Sequence, residues 1–104
     1  MTPILAFDIE TVPDCTGIRR LYELPDALAD EEVAEVALQK RRAASGTDFL
    51  PPHLQRVVAI SCVLRDAEGV RIWSLGQPEE PERALIQRFY EGIERYTPQL
   101  VSWN

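Results

Sequence analysis

Ile4-Leu5-Ala6-Phe7-Asp8-Ile9-Glu10-Thr11 opens the chain with a nearly unbroken apolar run that ends in two carboxylates. Four apolar residues in succession predict a strand buried on both faces, in the interior of a sheet. Side chains alternate along an extended chain, so Asp8 and Glu10 share one face while Phe7 and Ile9 take the other. Anions on such a strand are costly unless something neutralises them. Hard divalent cations such as Mg2+ take carboxylate oxygen and keep positions open for substrate phosphate, so the pair reads as a metal site. The competing interpretation ends the strand at Phe7 and leaves both acids as solvated loop residues. Ile9 between the acids and Thr11 after them favour the strand.

Outward from this segment, Val12-Pro13-Asp14 closes the strand, because proline has no N–H for the ladder. A helical insertion is expected over about residues 14–52. Within it Asp30-Glu31-Glu32 precedes Val33, Val36, Ala37 and Leu38, then Lys40-Arg41-Arg42, with Gly46 behind. That is a helix whose charges suit its macrodipole. Leu50-Pro51-Pro52 is expected as an extended connection. Arg56–Leu64 is a β-branched run too apolar for a one-sided sheet, which predicts a second central strand. Asp66-Ala67-Glu68-Gly69 has the composition of a tight turn, and Val70–Leu75 returns as the other arm of a hairpin. After the breaker Gly76-Gln77-Pro78, the acidic, proline-containing tract Glu79–Glu82 marks a helix start. Leu85, Ile86, Phe89, Tyr90, Ile93 and Tyr96 then recur at three- and four-residue spacing and predict one apolar helix face. Pro98 stops this helix, and Leu100-Val101-Ser102-Trp103 begins another strand. A helix between two strands makes them parallel and a hairpin makes its arms antiparallel, so the expected class is α/β with a mixed sheet.

With 104 residues the chain is one domain or part of one. Its last residues begin a strand without a closing helix, so the sequence is expected to be the N-terminal part of a fold. Cys15 and Cys62 lack metal-site spacing and no disulfide is expected, Cys62 packing as a small hydrophobe in a buried strand. A net charge of −6 argues against holding nucleic acid by bulk electrostatics, so any such function rests on a local site. Neither a membrane-spanning stretch nor a signal peptide is seen, which points to the cytoplasm.

The tract Phe7-Asp8-Ile9-Glu10-Thr11 resembles the first motif of the DEDD superfamily of 3'-to-5' exonucleases, whose fold is ribonuclease H-like. Val57-Val58-Ala59-Ile60-Ser61 as second strand and Leu100-Val101-Ser102-Trp103-Asn104 after the long helix narrow this. They resemble the predicted bacterial 3'-to-5' exonucleases related to the proofreading domain of family B DNA polymerases, over essentially the whole chain. The resemblance implies that Asp8 and Glu10 are catalytic metal ligands for Mg2+ or Mn2+, two ions in the complete site. It implies that Thr11 lies beside the terminal nucleotide, its backbone amide near the 3' end, and that Asn104 opens a second substrate-contacting motif. The family's second-motif Asp and its third motif, a Tyr with a final Asp, have no counterpart here, so the chain alone is expected to be inactive.

The expected partner is a nucleic-acid 3' end, most simply single-stranded DNA, with release of nucleoside 5'-monophosphates. Two ions about 4 Å apart suit that hydrolysis, Asp8 bridging both and Glu10 holding one and orienting water. The alternative is a non-catalytic module of the same fold that binds nucleic acid or protein; an RNA-trimming enzyme is a third possibility. Oligomerisation through an uncovered sheet face is also expected. His53, which follows two prolines, is read as a surface or strand-entry residue rather than a general base, and Lys40-Arg41-Arg42 as a solvated helix end rather than a DNA contact. Phe89, Tyr90, Tyr96, Trp73 and Trp103 are read as core.

Overall fold

The computed structural model describes residues 1–102. The described residues pack in two units, Met1–Thr11 with 57–102, and Val12–Arg56. The first holds a four-stranded sheet built from β1 (Ile4–Pro13), β2 (Gln55–Asp66), β3 (Gly69–Leu75) and β4 (Gln99–Ser102), in the order β3-β2-β1-β4. β2 and β3 are antiparallel, in register from Ile60↔Leu75 to Asp66↔Gly69, around the two-residue loop Ala67-Glu68. The Glu68 N–H donates to Asp66 Oδ1 at 2.9 Å, and Gly69 at φ 127° takes a backbone conformation that suits glycine. β1 and β4 are parallel, from Ile4↔Gln99 to Phe7↔Ser102. The sheet is therefore mixed, with β1 in its interior, an architecture compatible with a ribonuclease H-like fold.

One helix from Glu82 to Tyr96 connects β3 to β4. Glu82 in its first turn accepts the Val57 N–H of β2 at 2.6 Å, fastening the helix start to the sheet. At the other end Thr97 turns left-handed at φ 41° and its N–H reaches the Ile93 carbonyl at 2.8 Å. Leu85 and Phe89 are buried with Leu5, Ile60, Cys62 and Leu64, and the Phe7 ring tilts against Phe89 at 5.1 Å between centroids. Each such side chain contributes about 1.5–3 kcal/mol by leaving water. Gly76, just after β3, sits at φ 117°, and a Cβ there would fall on the Val58 carbonyl oxygen, so only glycine fits that close approach.

Three expectations are corrected in this unit and its entry. The strand now seen as β2 is not buried on both faces: Ile60, Cys62 and Leu64 are buried while Ser61, Val63 and Arg65 between them are exposed. The helix covers one face of the sheet, and on the other Ile72, the cross-strand partner of Val63, is 77% exposed. Tyr90 is 60% exposed rather than core. At 100° per residue it lies about a third of a turn from the stripe centred on Leu85, Phe89 and Tyr96. Pro51-Pro52 is not simply extended; Pro52 starts a 3-10 turn, Pro52–Leu54, at a position where its missing N–H is not needed.

The second unit contains α1 (Cys15–Leu21) and α2 (Asp30–Ser45); the helix of the first unit, Glu82–Tyr96, is α3. Asp14 caps α1, its Oδ1 accepting the Gly17 N–H at 3.2 Å, and Gly46 ends α2 at φ 74°. Ile18, Val33, Ala37, Leu50 and Leu54 form this unit's buried cluster. Arg19 braces it by donating to the Leu28 carbonyl at 2.9 Å and to Asp30 at 3.1 Å. The segment expected as an insertion falls inside this unit. Among the described residues no helix is long and apolar enough to cross a membrane.

Candidate metal centre

Asp8 and Glu10 lie within β1, which continues to Pro13, so neither is a loop residue. Both are exposed. Phe7 packs toward α3 through Phe89, and alternation therefore turns Asp8 and Glu10 to the opposite, uncovered face of the sheet. The described parallel register with β4 runs from Ile4↔Gln99 to Phe7↔Ser102, and the two acids are the fifth and seventh of the ten residues of β1, from its middle into its carboxyl half. Ligand sites of α/β sheets gather toward the carboxyl ends of strands. Solvation there explains how two like charges are tolerated on an interior strand: the strand is interior to the sheet's hydrogen bonding, not to the core.

Thr11 is exposed one position beyond Glu10. Alternation sends its side chain to the other face, so what it shares with the two acids is the backbone. Asn104 and Trp103 lie outside the described residues. The structure thus brings Asp8, Glu10 and Thr11 together along one strand. Among the described residues no group of three or more His, Cys, Asp or Glu side chains could hold a metal ion. The carboxylate pair is of the right chemistry for a hard cation, and is fewer donors than a complete cage.

The other candidates stand apart from this chemistry. His53 is exposed on the 3-10 turn at the entry to β2. Lys40 Nζ sits 4.8 Å over the Tyr22 ring, Arg41 Nε donates to the Phe49 carbonyl at 2.9 Å, and Arg42 pairs with Asp48 and Glu35. The basic tract is thus occupied within its own unit. Cys15 and Cys62 are free thiols. Burial pushes the Cys62 thiol up, and burial followed by the charge of Asp30 raises Cys15, so neither is an activated nucleophile. Sequence reading missed Arg71, Arg88 and Arg95, which β3 and α3 bring to one cleft; residues so spaced carry no common period or motif.

A protein-family model described as a predicted 3'-5' exonuclease related to the exonuclease domain of PolB matches residues 47–104, more than half of the chain. The match includes β2, β3, α3 and β4 and begins after β1, so the expectation of a likeness over the whole chain is narrowed to this part. No curated protein and no solved structure gives a match.

Proposed function

The chain belongs to the family of predicted 3'-5' exonucleases related to the exonuclease domain of PolB, and on that premise we propose that it contributes Asp8 and Glu10 to a metal-dependent site that trims single-stranded DNA from its 3' end. One observation carries the assignment of the site: two exposed carboxylates share the uncovered face of an interior strand. Family membership rests on residues after β1, so the strand geometry is an independent support.

Asp8 and Glu10 would hold Mg2+ or Mn2+ through their carboxylate oxygens, leaving further positions for phosphate oxygens and for donors beyond these two. When bound, such an ion supplies charge neutralisation and Lewis-acid polarisation at the scissile phosphate. The residues themselves do the rest. Glu10 accepts a hydrogen bond from the attacking water and aims it at phosphorus, while Asp8, on the same face two residues before it, is placed as the other carboxylate of the pair. The backbone amide of Thr11 meets the terminal nucleotide. Water adds to phosphorus, the bond to the 3' oxygen breaks, and a nucleoside 5'-monophosphate leaves.

The test measures Mg2+- or Mn2+-dependent nucleotide release from 3'-labelled single-stranded DNA. It compares this chain, a form carried past Asn104, and that longer form with Asp8→Ala. Release by the longer form, reduced at least about a thousandfold by the substitution, is the expected result. Absence of release from both unsubstituted forms would overturn it in favour of an interaction module, as would activity indifferent to Asp8. Mn2+ should also raise the melting temperature of the native chain more than that of Asp8→Asn, since an ion bound only to the folded state stabilises it.

A further inference from the structure

On the α3 side of the sheet, opposite the face that carries Asp8 and Glu10, β3 and α3 line an open cleft of about 410 Å³. Arg71 and Trp73 reach it from the strand, and Arg88, Gly92, Arg95 and Tyr96 from the helix. Three guanidinium groups meet there in a chain of net charge −6. Arg71 and Arg88 are held by acids outside the lining, Arg71 Nη2 donating to Asp66 at 2.5 Å and Arg88 Nη2 to Glu80 at 2.7 Å, and within the lining Arg71 Nη1 donates to the Tyr96 hydroxyl at 3.3 Å. Arg71 and Arg95 flank the Tyr96 ring at 5.0 and 5.2 Å. Among the described residues no carboxylate lies within ion-pair distance of Arg95. The one acid in the lining, Glu91, accepts from Gln87 at 3.4 Å.

Gly92 supplies a second, independent observation. Glycine inside a helix costs stability relative to alanine, and is usually explained by a neighbour that leaves no room. Here a Cβ would meet nothing within 4 Å. Packing does not call for this glycine; what it does is keep the floor of the cleft bare. From that floor a recess of about 30 Å³ runs inward between Leu5, Cys62, Leu75 and Phe89. The cleft and the recess share Trp73, Arg88, Gly92 and Tyr96 in their linings.

We propose that this cleft binds a nucleotide, with its phosphate on Arg71, Arg88 and Arg95 and its base against Trp73. Guanidinium forks match phosphate oxygens, and an aromatic face accepts any base by stacking. A carboxylate ligand would use one fork and leave the Trp73 ring unused. The nucleotide is either a free 5'-monophosphate or part of a single strand.

Binding is measured by calorimetry and by 15N chemical shifts with EDTA present, so that failure of the metal-site reading cannot affect the outcome. The probes are dAMP, adenosine, oligothymidylate and a polyglutamate peptide. Binding of dAMP or oligothymidylate is expected, shifting the Trp73 indole and the Gly92 amide; whichever of the two binds more tightly identifies the source. Arg95→Gln, at an exposed position, should weaken binding at least about tenfold, and Gly92→Leu should abolish it. Gly92→Ala should raise the melting temperature, showing that the glycine is not structural. Adenosine or polyglutamate binding as well as the nucleotide, or affinity unchanged in both Arg95→Gln and Gly92→Leu, would overturn the proposal. So would no nucleotide binding at millimolar concentration.

Discussion

Cys62 shares its buried cluster with Leu5, Ile60, Leu64, Leu85 and Phe89, and this burial raises the proton affinity of its thiol. The folded chain therefore keeps a proton that the unfolded chain gives up as pH rises through the ordinary thiol range. Stability conferred in this way is complete below that range and is lost above it. In a Cys15→Ser background, denaturant unfolding should show stability falling with alkaline pH more steeply than in a Cys62→Val partner; equal slopes would refute the linkage. The burial of Cys62 was legible in the sequence because a strand of β-branched neighbours surrounds it. The shared face of Asp8 and Glu10 was equally legible, since alternation is a property of any strand. Tyr90 was not, because membership of a helix stripe depends on its angular centre, which tertiary packing decides.

At the scale of elements, α3 is the piece on which the sheet's inner face depends. Leu85 is 1% exposed at its first turn, and Leu85→Ala should cost about 2–5 kcal/mol in urea unfolding, against about 0.5 kcal/mol or less for Tyr90→Ala on the outer side. Similar losses from the two would mean that the helix does not seat as described. α3 and the β2–β3 hairpin declared themselves by strong periodicity and by turn chemistry. α1 did not, because seven residues including Thr16 and Gly17 hold no readable period, and its one local signal was the cap at Asp14. The apolar run of β2 overstated its burial: hydrophobic composition cannot say whether a second layer covers Val63.

In the whole molecule, two buried clusters with no residue in common, one around Leu64 and Leu85 and one around Ile18 and Val33, imply two cooperative units. Ile18→Ala should lower native-state amide protection across Val12–Arg56 while sparing the β2–β3 ladder, whereas an even loss over the chain would show a single cooperative unit. The mixed sheet was readable from the order of elements, and the three-guanidinium cleft was not, since it exists only once β3 lies beside α3. The parallel pairing of Ile4–Phe7 with Gln99–Ser102 also has a bearing on synthesis. On the ribosome β1, one of the sheet's two interior strands, is made before β4, which pairs along its other edge, with residues 14–98 translated in between. Until then Leu5 and Phe7 emerge without their full setting, so the locally closed hairpin is the natural seed on which β1 waits, and a nascent chain stalled before Gln99 is a candidate for chaperone capture.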